Sequence, residues 1–247
     1  MLFKKSLLLF TLALIAFTAH AQTADQVIAG YVSFIGGKHA WHRIKTMMIH
    51  GTYDYGGMKF NFDSYAKSPN RYKFIVGENE KYYAQGFNGT RGWKIDAFND
   101  EKTPTILTGS AALSMVNEAD VELEDALINY ESKGHQAVLE GMDTVEQKVC
   151  FKIKFVRKNG DLEYYYFDAE TSKLMMKKAL SKNPEMQGEW LTTFYSDYRN
   201  ISGIKVPFNV VRKLNEQVIL TTMVEKVILN EPIRESEFEP NTKGSNH

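Results

Sequence analysis

Three histidines near the start of the chain are the first residues that could do chemistry. His39 and His42 are three residues apart at the predicted end of a helix, and His50 follows them. Imidazole nitrogens can bind zinc, but a zinc site needs a full set of ligands, and no cysteine or carboxylate completes this one. We therefore predict no metal site and interpret His39 and His42 as solvent-facing residues.

Cys150 is the single cysteine of the chain. It precedes a predicted strand with alternating lysines, and a nearby cation can lower the pKa of a thiol and make it a nucleophile. A lone cysteine can equally be a small buried residue. Zinc-helix, phosphate-loop and serine-elbow motifs do not occur in the sequence. We therefore predict that the chain is not an enzyme and needs no cofactor.

The amino terminus has the pattern of a signal peptide. Two lysines precede an apolar stretch at residues 7–17, and residues 19–21 have the small-x-small pattern of a cleavage site. The apolar stretch is shorter than the ~20 residues of a membrane-spanning helix. These features predict cleavage near Ala21, a periplasmic location, and a mature chain of residues 22–247 with a polar tail from about residue 241.

The length and charge of the chain indicate one domain without a nucleic acid partner. Removing 21 residues from 247 leaves 226, and a single all-β domain often has roughly 200–250 residues. The whole chain has 30 basic and 30 acidic residues, without a run of like charge. Nucleic acid and anionic membranes are therefore not the expected partners, and we expect a monomer.

Hydrophobic periodicity predicts one helix followed by a long sheet. Apolar residues at helical spacing indicate a first helix at about residues 23–35, and a short helical turn follows at 39–44. From there the period changes to two, because apolar and polar residues alternate through a hairpin with its turn at Gly56 and Gly57. Sequential antiparallel strands follow this hairpin.

Residues 107–134 interrupt the strands with helical spacing, which predicts one or two short inserted helices. Strands then resume, to a total of about ten or eleven. The predicted fold is mainly β with a few helices (α+β), built on a long, strongly curved antiparallel sheet in a single domain.

Such a sheet presents a large apolar face, and a few short helices can cover only part of it. Methionine and aromatic side chains suit a cavity for flexible acyl chains, because methionine repacks easily and aromatic rings form broad apolar walls. Each of these residues alone can equally belong to an ordinary core. The candidate cavity and lid residues are Met58, Phe60, Phe62, Tyr72, Phe74, Trp93, Ala111, Met115, Phe151, Phe155 and Met176.

A hairpin at residues 87–98 carries a tryptophan beside its turn. Asn88 and Gly89 are typical of a tight turn because both tolerate positive φ, and Trp93 follows in the next strand-like run. The indole ring either lines a pocket that a ligand enters or plugs the end of the core. Both interpretations stay open on the sequence alone.

Several short motifs resemble those of the LolA-type carriers of outer-membrane lipoproteins. One is the Pro69-Asn70 step, which aromatic residues follow, and another is the hairpin at 88–98. The segments 195–208 and 227–240 also resemble the C-terminal strands and the closing segment of lipoprotein-sorting proteins. The resemblance runs over nearly all of the mature chain.

This resemblance implies a LolA/LolB-like, incomplete and half-open β-barrel with a helical lid over an apolar cavity. It implies that residues 107–134 are the lid and that Trp93 belongs to the cavity wall or rim. The carriers typically place an arginine directly before the Pro-Asn step, where it helps to hold the lid. Ser68 stands there in this chain, and by alternation we expect Arg71 to face the other side.

The leading functional hypothesis is a periplasmic carrier that binds the acyl chains of lipoproteins or lipids. By the resemblance, its partners are an inner-membrane release complex and an outer-membrane acceptor. A lipid-sensing or interaction module of the same fold, acting in envelope-stress regulation, is a second hypothesis. A hydrolase of an envelope lipid or glycan is a third, and it predicts turnover that depends on a carboxylate or on Cys150.

Overall fold

The computed structural model describes residues 22–109, 111–112, 115–116, 119, 126–181, 186 and 188–240. The predicted signal peptide, the polar tail from residue 241 and part of the predicted lid lie outside these residues. Within the described part of the chain, no helix is both long enough and apolar enough to cross a membrane.

Helix α1 spans Ala24–Phe34, close to its predicted limits. Thr23 caps its first turn, since its hydroxyl accepts from the Gln26 amide while the Gln26 side chain accepts from the Thr23 amide. The buried side of α1 consists of Val27, Ile28, Tyr31 and Val32. A second, short helix α2 spans Lys38–His42.

The thirteen strands of the sheet have the following limits: β1 Thr46–Tyr55, β2 Met58–Lys67, β3 Arg71–Glu78, β4 Lys81–Phe87, β5 Gly92–Asp96, β6 Glu101–Ile106, β7 Gln136–Val145, β8 Lys148–Val156, β9 Leu162–Asp168, β10 Leu174–Leu180, β11 Trp190–Ile201, β12 Ile204–Leu214 and β13 Gln217–Leu229. All neighbouring strands pair antiparallel. Their order is β6-β5-β4-β3-β2-β1-β13-β12-β11-β10-β9-β8-β7. The predicted curved, open antiparallel sheet is confirmed.

The sheet has thirteen strands rather than the predicted ten or eleven, and β6 is a strand that the sequence pattern does not show. β6 pairs with β5 at one edge of the sheet and contains Pro104. Its side chains are almost all exposed, so it has no alternating apolar face by which periodicity could detect it. An edge strand tolerates proline because one side of its backbone forms no ladder bonds.

Helix α1 covers the face that we call the inner face of the sheet. Tyr31 of α1 packs against Phe167 of β9 with ring centroids 5.3 Å apart. The same cluster includes Phe155 of β8, Ala66 of β2 and Phe208 of β12. The main core therefore lies between α1 and the inner face.

Residues 126–134 form turns rather than the predicted regular helix. Leu127 and Ile128 are nevertheless buried in the main core. The Tyr130 hydroxyl donates to the carboxylate of Asp25, which links these turns to α1. The apolar spacing thus picks out Leu127 and Tyr130, which are buried, although the backbone is not helical.

The opposite, outer face is crossed by the segment after β13. We call residues 230–240 the strap. It begins with the Asn230 amide, which donates to the Thr46 carbonyl at 2.9 Å, and it includes a 3-10 turn at Glu235–Phe238. Ile233 and Phe238 are buried against Tyr65, a residue of the outer face of β2.

Candidate functional site

A row of aromatic side chains lies on the inner face outside the α1 cluster. We call Tyr53, Phe60, Phe62 and Phe74 the aromatic surface. The Phe74 ring centroid lies 5.6 Å from that of Phe62 and 5.8 Å from that of Tyr53. Phe62 is buried, whereas the other three side chains are only partly buried. Apolar ring area therefore stays accessible.

A glycine makes room for this row. Gly51 pairs with Phe62 across β1 and β2, and a Cβ atom at Gly51 would lie 2.8 Å from the Phe62 ring. It would also lie 2.1 Å from the Met223 carbonyl oxygen. A larger residue at this position would push either the ring or the strand aside.

The rim of the aromatic surface is open. Tyr55 and Met58 pair directly at the end of the β1–β2 hairpin, next to the Gly56–Gly57 turn. Their side chains are 53% and 59% exposed, respectively. Large apolar side chains with this exposure give a ligand an apolar entrance from solvent.

The segment after β6 covers the other side of the aromatic surface. We call residues 107–119 the lid segment, and its described residues from Gly109 onward are helical. Met115 and Ala119 are buried against Tyr72 of β3 and Phe87 of β4. Phe74 packs against this cluster and also belongs to the aromatic surface, so the lid segment adjoins that surface at Phe74.

The lid segment approaches the sheet closely at Gly92. A Cβ atom at this position would lie 3.2 Å from Cγ and 3.3 Å from Cβ of Met115, and 3.5 Å from Cβ of Leu107. The Leu107 amide donates to the Gly92 carbonyl at 2.9 Å. The missing side chain of Gly92 therefore lets Met115 seat against the inner face.

Trp93 does not line this surface, which corrects its predicted place in the cavity wall. Tyr72 pairs with Phe87 on the inner face, so the next residue, Gly86, points outward together with its partner Trp93. Trp93 is only 1% exposed, and its indole Nε1 donates to the Phe238 carbonyl at 2.8 Å. It packs in an outer-face core and holds the strap.

Three other predicted residues lie away from the aromatic surface. Phe155 is fully buried in the main core under α1, and Phe151 packs against that core. Met176 lies on the outer face beside Cys150 and Tyr166. A bulge between Leu174 and Met176 causes this reversal, because it breaks the alternation that would place both side chains on one face.

The structure therefore divides the eleven predicted residues. It brings Phe60, Phe62 and Phe74 together in the aromatic surface, Tyr72 and Met115 in the adjoining lid cluster, and Met58 at the rim. Ala111 belongs to the lid segment, but its side chain is exposed.

Sequence reasoning missed Tyr53, Tyr55, Phe87 and Leu107 as members of this region. Tyr53 and Tyr55 continue the alternation of β1, and Phe87 ends β4 directly before the turn at Asn88. The alternation itself could have found the two tyrosines. Phe87 is recognised only when its pairing with Tyr72 is known.

The histidines do not assemble into a reactive cluster. His39 and His42 are exposed, and His50 instead pairs through Nδ1 with the Asp63 carboxylate on the outer face. Among the residues that the structure describes, no group of three potential ligands is placed to hold a metal ion.

Cys150 is fully buried, which agrees with its interpretation as a small buried residue. Burial, with a further contribution from the Asp168 carboxylate, raises the pKa of its thiol to about 11. The thiol therefore stays protonated at neutral pH and lacks the thiolate character of a nucleophile.

Comparisons with known proteins support the fold alone. No protein-family model matches the sequence, and no curated protein matches it significantly. A DUF1329 family protein from Desulfovibrio piger is 13% identical with a TM-score of 0.59, over 87% of this chain and 97% of that chain. A LolA superfamily protein from Nitrosomonas europaea is 12% identical with a TM-score of 0.54, over 89% and 98%.

A proposed outer membrane lipoprotein-sorting protein domain from Vibrio parahaemolyticus also has a similar structure. It is 6% identical with a TM-score of 0.54, over 87% of this chain and 95% of that domain. The chain thus has a LolA-like fold, and the sequence-based prediction of that fold is confirmed.

Proposed function

We propose that this protein is a periplasmic carrier that binds the acyl chains of lipoproteins or lipids. The acyl chain would lie on the aromatic surface. It would enter between Tyr55 and Met58, with the lid segment beside it. The observation that carries the proposal is the partly exposed ring area of Tyr53, Phe60 and Phe74 on an inner face that α1 leaves uncovered. The likeness in fold to a proposed lipoprotein-sorting domain supports it.

The lid segment can exchange its contacts for those of a ligand. Its described side chains touch the sheet through Leu107, Met115 and Ala119, which are all apolar. An acyl chain offers the same kind of contact, and each methylene that it buries contributes ~0.8 kcal/mol. Binding therefore requires no catalytic group, only a ligand that replaces the lid contacts.

The first test introduces a charge into the aromatic surface. Phe62→Glu places a carboxylate against Phe74, where an alkyl chain cannot solvate it. We expect the affinity for a triacylated lipopeptide to fall by about 100-fold or more. Fluorescence titration measures the affinity, and far-UV circular dichroism shows whether the variant is folded.

A matched pair of surface variants gives a test that does not disturb the core. Met58 and Met142 are each 59% exposed. Met58 lies at the proposed entrance, whereas Met142 pairs with Phe151 at the far edge of the sheet. We expect Met58→Glu to weaken lipopeptide binding about tenfold and Met142→Glu to leave it unchanged.

For the first test, with Phe62→Glu, wild-type affinity in a folded variant would contradict the proposal.

Delivery is tested separately from binding. Native mass spectrometry of protein purified from the periplasm should show a co-purifying acylated peptide or lipid. A carrier must then release this cargo to outer-membrane vesicles that contain an acceptor, whereas a lipid sensor would retain it. A clean apo mass, together with no uptake of added lipopeptide, would mean that the inner face binds no acyl chain.

A further inference from the structure

A second surface with binding character lies on the outer face, away from the aromatic surface. A shallow cavity of about 490 Å³ lies over strands β8–β11. Its lining includes the aromatic rings of Tyr164, Tyr166 and Trp190 and the ammonium groups of Lys152 and Lys178. We call it the outer cleft.

The strand register explains why these side chains converge. Lys178 of β10 pairs with Tyr164 of β9 on one side and with Thr192 of β11 on the other. Lys152 of β8 pairs with Tyr166 of β9. Residues directly opposite each other in a sheet point to the same face, so the aromatic and basic side chains alternate across one surface.

Trp190 gives the outer cleft an accessible aromatic face. It is 37% exposed, whereas the other two tryptophans, Trp41 and Trp93, are 8% and 1% exposed. Its ring centroid lies 5.6 Å from that of Tyr164, with the planes tilted by 46°. The two tilted rings form an aromatic corner, which we call the platform, and the accessible Trp190 ring gives the apolar face of a ligand a surface to stack on.

The charges around the platform favour an anion. Lys152 Nζ lies 3.0 Å from the Glu140 carboxylate and 4.7 Å from the Tyr164 ring centroid. The hydrogen bond that Lys152 donates to the Glu140 carboxylate raises the pKa of Lys152 and favours its protonated form. Glu216, the acidic lining residue, is paired with Lys213 at 3.9 Å.

Lys178 contributes a positive charge to the outer cleft. Within the part of the chain that the structure describes, no salt bridge or side-chain hydrogen bond of Lys178 occurs. Of the two lysines that line the outer cleft, Lys152 is paired with Glu140, whereas Lys178 has no such partner among the described residues. An ammonium group beside accessible rings matches a ligand that has both an apolar face and a negative group.

We propose that the outer cleft binds an acidic saccharide. The C–H face of a sugar ring would stack on Trp190 and Tyr164, and its hydroxyl groups would hydrogen-bond Thr192 and Asn215. Its carboxylate or phosphate would pair with Lys178. An aliphatic chain fits this polar lining poorly, so the site differs in ligand class from the aromatic surface on the inner face.

Isothermal titration calorimetry with six-ring probes tests the proposal. The acidic probe is a hexasaccharide of alternating glucuronic acid and N-acetylglucosamine, and the neutral probe is cellohexaose. We expect the acidic probe to bind more tightly, with an advantage that falls as salt screens Lys178. Competition by glucuronate or by glucose 6-phosphate distinguishes a carboxylate ligand from a phosphate ligand.

Trp190 itself reports on binding, because the other two tryptophans are buried. The acidic hexasaccharide should protect its fluorescence from quenching by acrylamide. Trp190→Leu keeps apolar bulk without an aromatic face, and we expect it to lower the affinity for the acidic probe about tenfold. Lys178→Gln should cost about two- to fivefold for the acidic probe and leave the neutral probe unchanged.

Phe98→Ala serves as the control, because Phe98 has the same 37% exposure as Trp190 but contacts Phe60. It should leave saccharide binding unchanged. Lipopeptide binding by Trp190→Leu should equal that of the wild type, which separates this proposal from the acyl-binding proposal. Three outcomes would each overturn the inference. The neutral probe could bind as tightly as the acidic one, a single-stranded oligonucleotide could bind more tightly than the acidic probe, or Trp190→Leu could keep wild-type affinity for the acidic probe.

Discussion

At the scale of single residues, Trp93 shows how one side chain joins two distant parts of the chain. Its ring packs over Gly86, where a Cβ atom would come within 2.7 Å of the indole. Its Nε1 group donates to the carbonyl of Phe238 in the strap. The glycine provides the space and the strap provides the acceptor, so the buried indole has both apolar contacts and a hydrogen-bond partner.

Trp93→Phe tests this role. Phenylalanine keeps the aromatic packing but cannot donate to the Phe238 carbonyl, which would leave a buried acceptor without its partner. We expect the free energy of unfolding to fall by roughly 1–3 kcal/mol, as measured by urea denaturation. Amide hydrogen exchange should accelerate in the strap.

The same variant distinguishes the two interpretations of Trp93. Because the ring lies on the outer face, lipopeptide affinity should stay at the wild-type level in Trp93→Phe. A loss of affinity without a loss of stability would instead favour a direct contact with the ligand and contradict the structural assignment.

The orientation of a side chain is the least predictable property at this scale. In a strand, a shift of one residue moves a side chain to the opposite face. Phe62 and Phe74 keep their alternation and lie where the sequence places them, whereas the bulge before Met176 reverses its face. The position of a bulge depends on tertiary contacts, and these cannot be predicted from the alternation of apolar and polar residues.

At the scale of elements, the lid segment and the sheet meet through a glycine. The backbone conformation of Gly92 is one that other residues can also adopt. The glycine matters because its missing side chain leaves space for Met115 and Leu107. A side chain there competes for the volume that the lid side chains occupy. The seating of the lid can therefore be weakened without touching the aromatic surface.

Gly92→Val tests the seating of the lid. Its methyl groups would collide with Met115, and overpacking of this kind typically costs roughly 1–3 kcal/mol. We expect faster amide exchange across residues 107–119 and faster association of lipopeptide. Hydrogen exchange and stopped-flow fluorescence measure the two effects.

Gly89→Ala is the matched control for this experiment, since a Cβ atom at Gly89 would meet no atom closer than 3.5 Å. Its positive φ of 99° makes the substitution costly in the turn itself. It should lower stability without changing exchange in the lid segment. Unchanged exchange in Gly92→Val would show that Met115 does not hold the lid.

The strap is fastened by alternating acidic residues. Glu235 lies 2.6 Å from both Lys67 Nζ and Arg71 Nε, and Glu237 lies 2.6 Å from Lys73 Nζ. The hydrogen bond from Lys67 lowers the pKa of Glu235. Arg71 thus faces the strap on the outer face, as its alternation in β3 predicts, whereas Met115 of the lid segment packs on the inner face.

At the scale of the whole molecule, the sequence predicts the fold well because its signal is repeated in many strands. Alternation in β1–β5 and β7–β13 identifies an antiparallel sheet, and the helical spacing at 23–35 identifies α1. It does not identify β6, which lacks an apolar face, or the turns at 126–134. The site was less predictable, because it depends on which part of the inner face α1 covers.

A buried ionic network makes the stability of the molecule depend on pH. Glu163 lies 3.1 Å from Arg157 and 3.6 Å from Lys177, and it accepts a 2.7 Å hydrogen bond from Tyr165. Burial alone would raise its pKa, but Lys177 and Arg157 together hold the pKa below its ordinary value of 4.5. The folded state therefore resists protonation of this carboxyl.

The sign of the effect follows from this lowered pKa. The stabilisation from Glu163 is complete above its unfolded-state pKa of 4.5, and it is lost as the pH falls below that value toward the folded-state pKa. Glu163→Gln should lower the free energy of unfolding at pH 7 by roughly 3 kcal/mol, because Arg157 then stays buried without its counter-charge. In this variant the free energy of unfolding should fall less steeply than in the wild type as the pH drops below 4.5.

Glu140→Gln is the matched control, because its pair with Lys152 is partly exposed. It should change the stability at pH 7 by less than about 1 kcal/mol. Urea denaturation of both variants between neutral and acidic pH measures these effects. A pH dependence in Glu163→Gln equal to that of the wild type would show that other carboxyls determine the acid sensitivity.

The pairing of β1 with β13 gives the protein a late-closing seam. Strands β1–β6 and β7–β13 each form neighbouring hairpins, and among the described strands the two halves pair with each other only through β1 and β13, at residues 46–55 and 217–229. The paired residues of β1 and β13 are far apart in the sequence, and pairings of this kind form slowly. On this side β1 has no partner until β13 is available, and β13 is the last of the described strands in the sequence. The two halves of the sheet can therefore form before they join, and we expect the seam to be completed last in folding.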